Sequence, residues 1–204
     1  LSGNNVNAQV SAYTVDQLQI TPAFSGFTTN PLFPGTGTLL APAGLQENGL
    51  STVSLPFTFQ FLGTGYSSLN VSMHGFVTFG SAPSLTEISP LSSTDTYSGA
   101  IAVYANDMDL ANATTLLNVF HTTTGSIGSR IFKVQWTVKR SNSTAGPAAG
   151  LDGTTNISFQ LWLYEGTNVI EMHYNAFTPT GTTTQGQIGL RGANNSDFKN
   201  LNYS

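Results

Sequence analysis

Between residues 51 and 61, Val53, Leu55, Phe57, Phe59 and Phe61 take every second position, with Thr52, Ser54, Pro56, Thr58 and Gln60 between them. A period of two places these sets on opposite faces, so the run predicts a β-strand with one buried face. The rhythm returns over residues 130–140, where Phe132, Val134, Trp136 and Val138 alternate with Lys133, Gln135, Thr137 and Lys139. It returns again with Ile157, Phe159, Leu161 and Leu163, after which Glu165, Gly166, Thr167 and Asn168 read as a hairpin turn. No segment carries the period of an amphipathic helix. Strands with one apolar face bury it by pairing into two packed sheets. The pattern therefore predicts an all-β fold, a two-sheet antiparallel β-sandwich with jelly-roll-like topology.

The stretch NVSMHGFVTFG, residues 70–80, extends the alternation. Read as one strand, it turns Val71, Met73, Gly75, Val77 and Phe79 inward and Asn70, Ser72, His74, Phe76 and Thr78 outward. Gly75 on the core face would let a bulky neighbour such as Trp136 or Trp162 lie against the backbone. Near the N-terminus, Val6, Ala8, Val10 and Ala12 also alternate with polar residues. Within residues 1–25 this predicts an edge strand, or a strand donated to a neighbouring subunit. Ser/Thr/Gly/Pro-rich stretches at 21–50, 81–99, 141–155 and 178–186 read as binding loops or covers, because alternation resumes after each. The organisation expected is a single domain over residues 1–204.

Composition narrows the function classes. Charged residues make up 8% of the 204 residues, against about 25% in an average soluble domain, and Thr, Ser, Asn and Gly replace them. Such a surface is typical of secreted or cell-surface β proteins. No Lys or Arg precedes Arg130, so no basic patch exists for a phosphate backbone and nucleic acid is not an expected partner. The absence of cysteine excludes disulfides and thiolate metal sites. No apolar run approaches the roughly 20 residues of a membrane helix, so membrane insertion is not expected. The opening LSGNNVNAQ lacks a basic and apolar leader, so either a signal peptide has been removed or none existed, and the composition favours removal.

Candidate chemistry is sparse. His74, His121 and His173 fall in no metalloprotease spacing, and no G-x-S-x-G elbow occurs. No catalytic residue is assigned, and the chain is not expected to be an enzyme. Glu165 and Glu171 would suit glycoside hydrolysis only if they faced each other across a cleft; they flank the hairpin turn and read as solvated. Asn106, Asp107 and Asp109 follow an apolar strand, and such an oxygen-rich group either holds Ca²⁺ or forms an Asx-type turn. No cofactor is required. Trp162 and Tyr164 share the face opposite Leu161 and Leu163, giving an aromatic platform on which a sugar ring can stack. With Phe76 and His74 they form the candidate ligand-binding set.

The order of segments is itself a pattern. SLPFTFQFLGTGYSSLNVSMHGFVTFG is followed by AVYANDMDL, IFKVQWTVKR, ISFQLWLYEGTNVIEMHYN and IGLRGANNSDF. The series resembles the β-sandwich module at the front of secreted, surface-directed Bacteroidetes proteins exported by the type IX route. Two positions depart from that module: His74 stands where Asn is usual, and Ala105-Asn106-Asp107-Met108-Asp109 replaces a Trp-Asp-Asp element. The resemblance implies an extracellular location and an accessory or adhesive role, and it implies no catalytic residue. The expected function is thus a secreted or cell-surface, non-catalytic β-sandwich that mediates adhesion or binds a glycan or another extracellular ligand. The alternative is a structural subunit of a filament or surface layer that self-associates by strand addition, since scarce charge removes the repulsion that keeps proteins apart. An accessory domain of a secreted hydrolase comes third.

Overall fold

The computed structural model describes residues 9–16, 38–39, 48–109, 118–140, 157–175 and 186–201. The strands are β1 (Thr38–Leu39), β2 (Leu50–Phe61), β3 (Thr64–Ser72), β4 (Phe76–Phe79), β5 (Gly99–Ala105) and β6 (Met108–Asp109), then β7 (Asn118–Thr124), β8 (Ile131–Arg140), β9 (Ile157–Tyr164), β10 (Ile170–Tyr174), β11 (Gln187–Arg191) and β12 (Phe198–Asn200). They form two antiparallel sheets. One runs β12–β11–β5–β4–β3–β2; the other runs β1–β7–β8–β9–β10, with β6 also paired to β8. The β-sandwich is as predicted. Consecutive strands pair directly within each sheet, β2–β3, β3–β4 and β4–β5 in one and β7–β8, β8–β9 and β9–β10 in the other. Between β2 and β3, for instance, Leu62 and Gly63 take φ of 51° and 77°, the backbone that a two-residue hairpin loop demands.

The core lies where the two apolar faces meet. Along β2 burial alternates residue by residue, and Val53, Leu55, Phe57, Phe59 and Phe61 point inward as read. From the opposite sheet come Phe132, Val134, Trp136, Phe159 and Leu161, each at most 1% exposed. Trp136 stacks on Phe159 with centroids 5.3 Å apart and donates its indole N–H to the Ser72 carbonyl at 2.8 Å. That bond crosses the sandwich, so Trp136 contributes both buried area and a fixed sheet-to-sheet register. Tyr174 ties the sheets a second time through its hydroxyl to the Val103 carbonyl, 2.7 Å away.

Three expectations are corrected. Residues 70–80 are not one strand: Ser72 pairs with Phe76, and Met73, His74 and Gly75 form the turn between β3 and β4. The alternation ran through this turn because the turn is buried, with Met73 2% and His74 1% exposed. The atoms nearest to a Cβ at Gly75 belong to the Tyr104 backbone and the Phe159 ring, ahead of either tryptophan. At the N-terminus, Val10–Ala12 is a 3₁₀ turn and no strand. Its Val10 is fully buried in the core, Val10 N–H donates to Asp197 Oδ1, and the Tyr13 carbonyl accepts from Lys199 Nζ. Residues 9–13 are thus seated on their own domain; residues 1–8 lie outside the described residues. Among the described residues no helix is long and apolar enough to cross a membrane.

The segment between β4 and β5 acts as the cover that its composition predicted. Leu91 from this loop packs with Phe76, Ala102 and Ala105 in a small second core on the outer face of the β2–β5 sheet. Gln187 Oε1 accepts from Leu91 N–H, and Asp95 Oδ2 accepts from Ser84 N–H, which closes the loop on itself.

Candidate functional site

The outer face of the other sheet carries the chemistry. Alternation in β8, β9 and β10 sends an apolar set inward, Phe132, Trp136 and Phe159 among it, and leaves mostly polar side chains with Trp162 and Tyr164 on the far face. Register then sets the neighbours. Lys133 on β8 lies directly across from Trp162 on β9, and Trp162 lies directly across from Glu171 on β10. The next row is Gln135, Gln160 and His173. Side chains so paired are within contact distance.

A chain of hydrogen bonds orders this face. Trp162 Nε1 donates to Gln160 Oε1 at 2.7 Å, Gln160 Nε2 to Gln135 Oε1 at 3.0 Å, and Gln135 Nε2 to Thr137 Oγ1 at 3.2 Å. Gln160 and Gln135 are 0% and 2% exposed although they point away from the core. The ladder therefore holds the indole in one orientation from a shielded base, and the face opens at Trp162, Tyr164 and Glu171, which are partly exposed. Lys133 Nζ sits 3.7 Å from the Trp162 ring centroid, and the His173 ring lies 4.3 Å from it on a tilt of 39°. Tyr164 Oη and His173 Nε2 both meet Glu171 Oε2, at 2.8 Å and 2.9 Å.

The titrating groups follow from these contacts. Burial pushes the Lys133 ammonium below its usual pKa, with the charge of Glu171 acting in the opposite sense. Burial also lowers His173, against the hydrogen bond and charge of Glu171. The imidazole is thus favoured neutral and donates to the carboxylate as a hydrogen bond. Tyr164 is pushed up to about 12, first by burial and then by the Glu171 carboxylate, so its hydroxyl remains a donor across the physiological range.

The sequence-derived candidates divide. Trp162 and Tyr164 do share the open face, with ring centroids 6.5 Å apart. Phe76 and His74 do not join them: both are buried, on the other sheet. Phe76 anchors the second core under the 81–98 cover. His74 is a structural pin. Its Nδ1 accepts from Met108 N–H at 3.1 Å and its Nε2 meets Asn48 Oδ1 at 3.1 Å, which places the proton on Nε2. Asn106 and Asp107 sit beside this pin: Asn106 N–H donates to the His74 carbonyl, and Asn106 Oδ1 accepts from Asp107 N–H at 2.8 Å. That side-chain bond reaches one residue on, where an Asx turn would reach two. The Asp109 side chain lies outside the described residues, among which no group of three metal-ligating side chains forms. Lys133 is the member of the site that the sequence did not single out; Glu171 and His173 were weighed there only for catalysis or metal binding.

The two acids flanking the hairpin go separate ways. Glu171 belongs to the open face. Glu165 accepts Arg130 Nη2 and Nε at 2.6 Å and 2.8 Å and the N–H groups of Gly128 and Arg130, joining the β7–β8 and β9–β10 turns. The Arg130 hydrogen bond, aided by the backbone donors, holds the Glu165 carboxyl at about 2, below its ordinary 4.5. A carboxyl depressed on folding stabilises the fold above its unfolded pKa and loses that contribution as pH falls through the folded one. The wild-type melting temperature should therefore fall between pH 4.5 and about 2 more steeply than that of Glu165→Gln, as read by thermal melts across that window. Parallel curves would mean that the bridge contributes nothing.

The geometry now has a family to set beside it. The family model described as NIDO related matches residues 19–204. The chain belongs to that family. NIDO domains are typically extracellular, in accord with the charge-poor composition. The match runs from before β1 to past β12, so the NIDO-related region includes both sheets and the open face. No curated protein and no solved structure matches the chain.

Proposed function

We propose that this NIDO-related domain is a non-catalytic extracellular binding module that holds a glycan chain on the outer face of β8, β9 and β10. The observation that carries the reading is the Trp162 indole, fixed by its hydrogen bond to Gln160 and placed beside Tyr164 on an otherwise polar sheet face. An aromatic ring bordered by amides and hydroxyls matches a sugar, which presents apolar C–H faces and hydroxyls at its edges. The resemblance to front modules of type-IX-exported surface proteins supports the same address and an adhesive role. Neither a metal nor a catalytic group enters this reading.

The test is a glycan array followed by titration calorimetry, with and without calcium. Wild-type binding independent of calcium is expected, and Trp162→Ala should weaken it at least about tenfold, the loss of one stacking contact of order 1.4 kcal/mol. Its melting temperature should move little, because the indole is partly exposed. Binding that ignores Trp162→Ala, or no glycan bound at all, would remove the proposal.

A further inference from the structure

We infer that the open face selects acidic glycans, those bearing a carboxylate or sulfate, through an exchange of partners by Lys133; this rests on the glycan-binding reading above. The observation is an unmet one. Among the described residues the Lys133 ammonium makes no hydrogen bond, and its contact is with the Trp162 ring, 3.7 Å from the centroid. It is half-buried and carried on β8 directly across from that ring. The neighbouring carboxylate does not serve it: Glu171 Oε2 takes Tyr164 Oη and His173 Nε2. Among the described residues, then, the face holds a cation that no carboxylate hydrogen-bonds and that feels Glu171 only through its charge, resting on the aromatic surface that a sugar would use.

That resting place makes the ammonium a selector. A neutral sugar stacking on Trp162 must lift Lys133 off the ring and give nothing back for the lost cation–π contact. An acidic sugar lifts the same ammonium and accepts its hydrogen bonds with a charged oxygen. A charge-assisted hydrogen bond is stronger than a cation–π contact at a partly exposed site, so the exchange favours the acidic ligand. The lysine stem is long and flexible enough to swing from ring to ligand without moving the sheet. Glu171 opposes the same ligand by like charge from the other side of Trp162, so its removal should tighten acidic ligands and leave neutral ones nearly unchanged.

The experiment titrates the full chain with an oligogalacturonate and with its fully methyl-esterified form, which keeps the backbone and removes the charge. Binding is followed by the fluorescence of Trp162, with Trp162→Phe reporting the background from the buried Trp136. The acidic oligomer should bind about tenfold tighter, with an affinity that falls as salt is raised. Lys133→Met should remove that preference by weakening the acidic oligomer and sparing or improving the neutral one. Glu171→Gln should increase the preference. Equal affinities for the two oligomers, or a preference unchanged in Lys133→Met, would overturn the exchange while leaving glycan binding in place. If neither oligomer nor any array glycan binds, the glycan reading itself falls. Binding of polyglutamate in place of any sugar, with the same dependence on Lys133, would replace the glycan by an acidic peptide and overturn the inference as stated.

Discussion

Gly75→Ala should lower stability by about 3–5 kcal/mol, at the far end of what a single substitution does. Two costs combine. Gly75 has φ of +84°, a left-handed conformation that costs an L-residue about 1–2 kcal/mol. A Cβ there would also stand 2.3 Å from the Tyr104 carbonyl oxygen and 3.0 Å from Phe159 Cζ. Neither neighbour can yield easily. The Tyr104 backbone is in β5, whose Val103 and Tyr104 N–H groups both donate to the Gly75 carbonyl at 3.1 Å, and Phe159 is clamped under Trp136. Gly63 separates the two terms, because it has a similar φ of +77° with nothing within 4 Å of its would-be Cβ. Gly63→Ala should cost only the conformational term, about 1 kcal/mol. For 204 residues this means a drop of roughly 3 °C in melting temperature against 10 °C or more for Gly75→Ala. Equal drops in the two variants would show that backbone conformation alone, and not the close approach of β5, demands glycine in this turn.

The same turn marks where reading the sequence succeeded and where it stopped. β2, β8 and β9 were legible because each has one face on the core and a polar face away from it, the condition under which period two appears. The turn Met73-His74-Gly75 was not legible because nothing about it is exposed. It carries no Asn-Gly or Pro signal, and its Met73 continues the apolar phase of β3 into the core. His74 stood on a polar phase and so read as outward. In the fold it replaces a missing backbone partner, taking the Met108 N–H on its ring, and this need belongs to tertiary structure. The N-terminal alternation misled for another reason. Its apolar members are Val and Ala, and among residues 9–13 only Val10 is fully buried, so the period carried little energetic weight.

The candidate site divides along the same line. Trp162 and Tyr164 were found because their phase on β9 is opposite to Leu161 and Leu163. That Glu171 faces Trp162 follows from the short hairpin between β9 and β10, which fixes register locally. Lys133 could not be placed beside Trp162 in this way, because residues 141–156 separate β8 from β9 and a long connection leaves register open. The site is thus assembled by one local pairing and one non-local pairing, and the non-local one brings in the cation.

Arg191→Ala should be the second most damaging change, at about 3–4 kcal/mol, and its damage should be local to the 81–98 cover. Arg191 is 2% exposed on β11, and among the described residues no carboxylate pairs with it. Its Nη1 donates to the Pro90 carbonyl at 3.0 Å and its Nη2 to the Asp95 carbonyl at 2.8 Å, while the guanidinium lies 4.2 Å from the Tyr97 ring centroid. Tyr97 in turn donates its hydroxyl to Pro90, and burial, ahead of every other influence, pushes that phenol up to about 12. Removing the side chain leaves the Asp95 carbonyl without its donor, at about 1–3 kcal/mol, and opens a void beside Tyr97 that adds to the cost. Against this stands relief from burying a charge, the more so because Nε has no partner among the described residues. The balance differs with the replacement. Arg191→Met fills the void and removes the charge, so it should be the mildest, at about 1–2 kcal/mol. Arg191→Lys keeps a buried charge that can reach fewer acceptors and cannot stack as a plane, so it should fall close to alanine. Hydrogen exchange of the Leu91 and Ser98 amides, both hydrogen-bonded in the cover, should quicken most in the alanine and lysine variants. Loosening would uncover Phe76 and Leu91, whose contact joins the cover to the sheet, and a dye specific for apolar surface should then bind. If lysine instead proved as mild as methionine, positive charge alone, and not the planar reach of the guanidinium to two carbonyls, would be what holds the cover down.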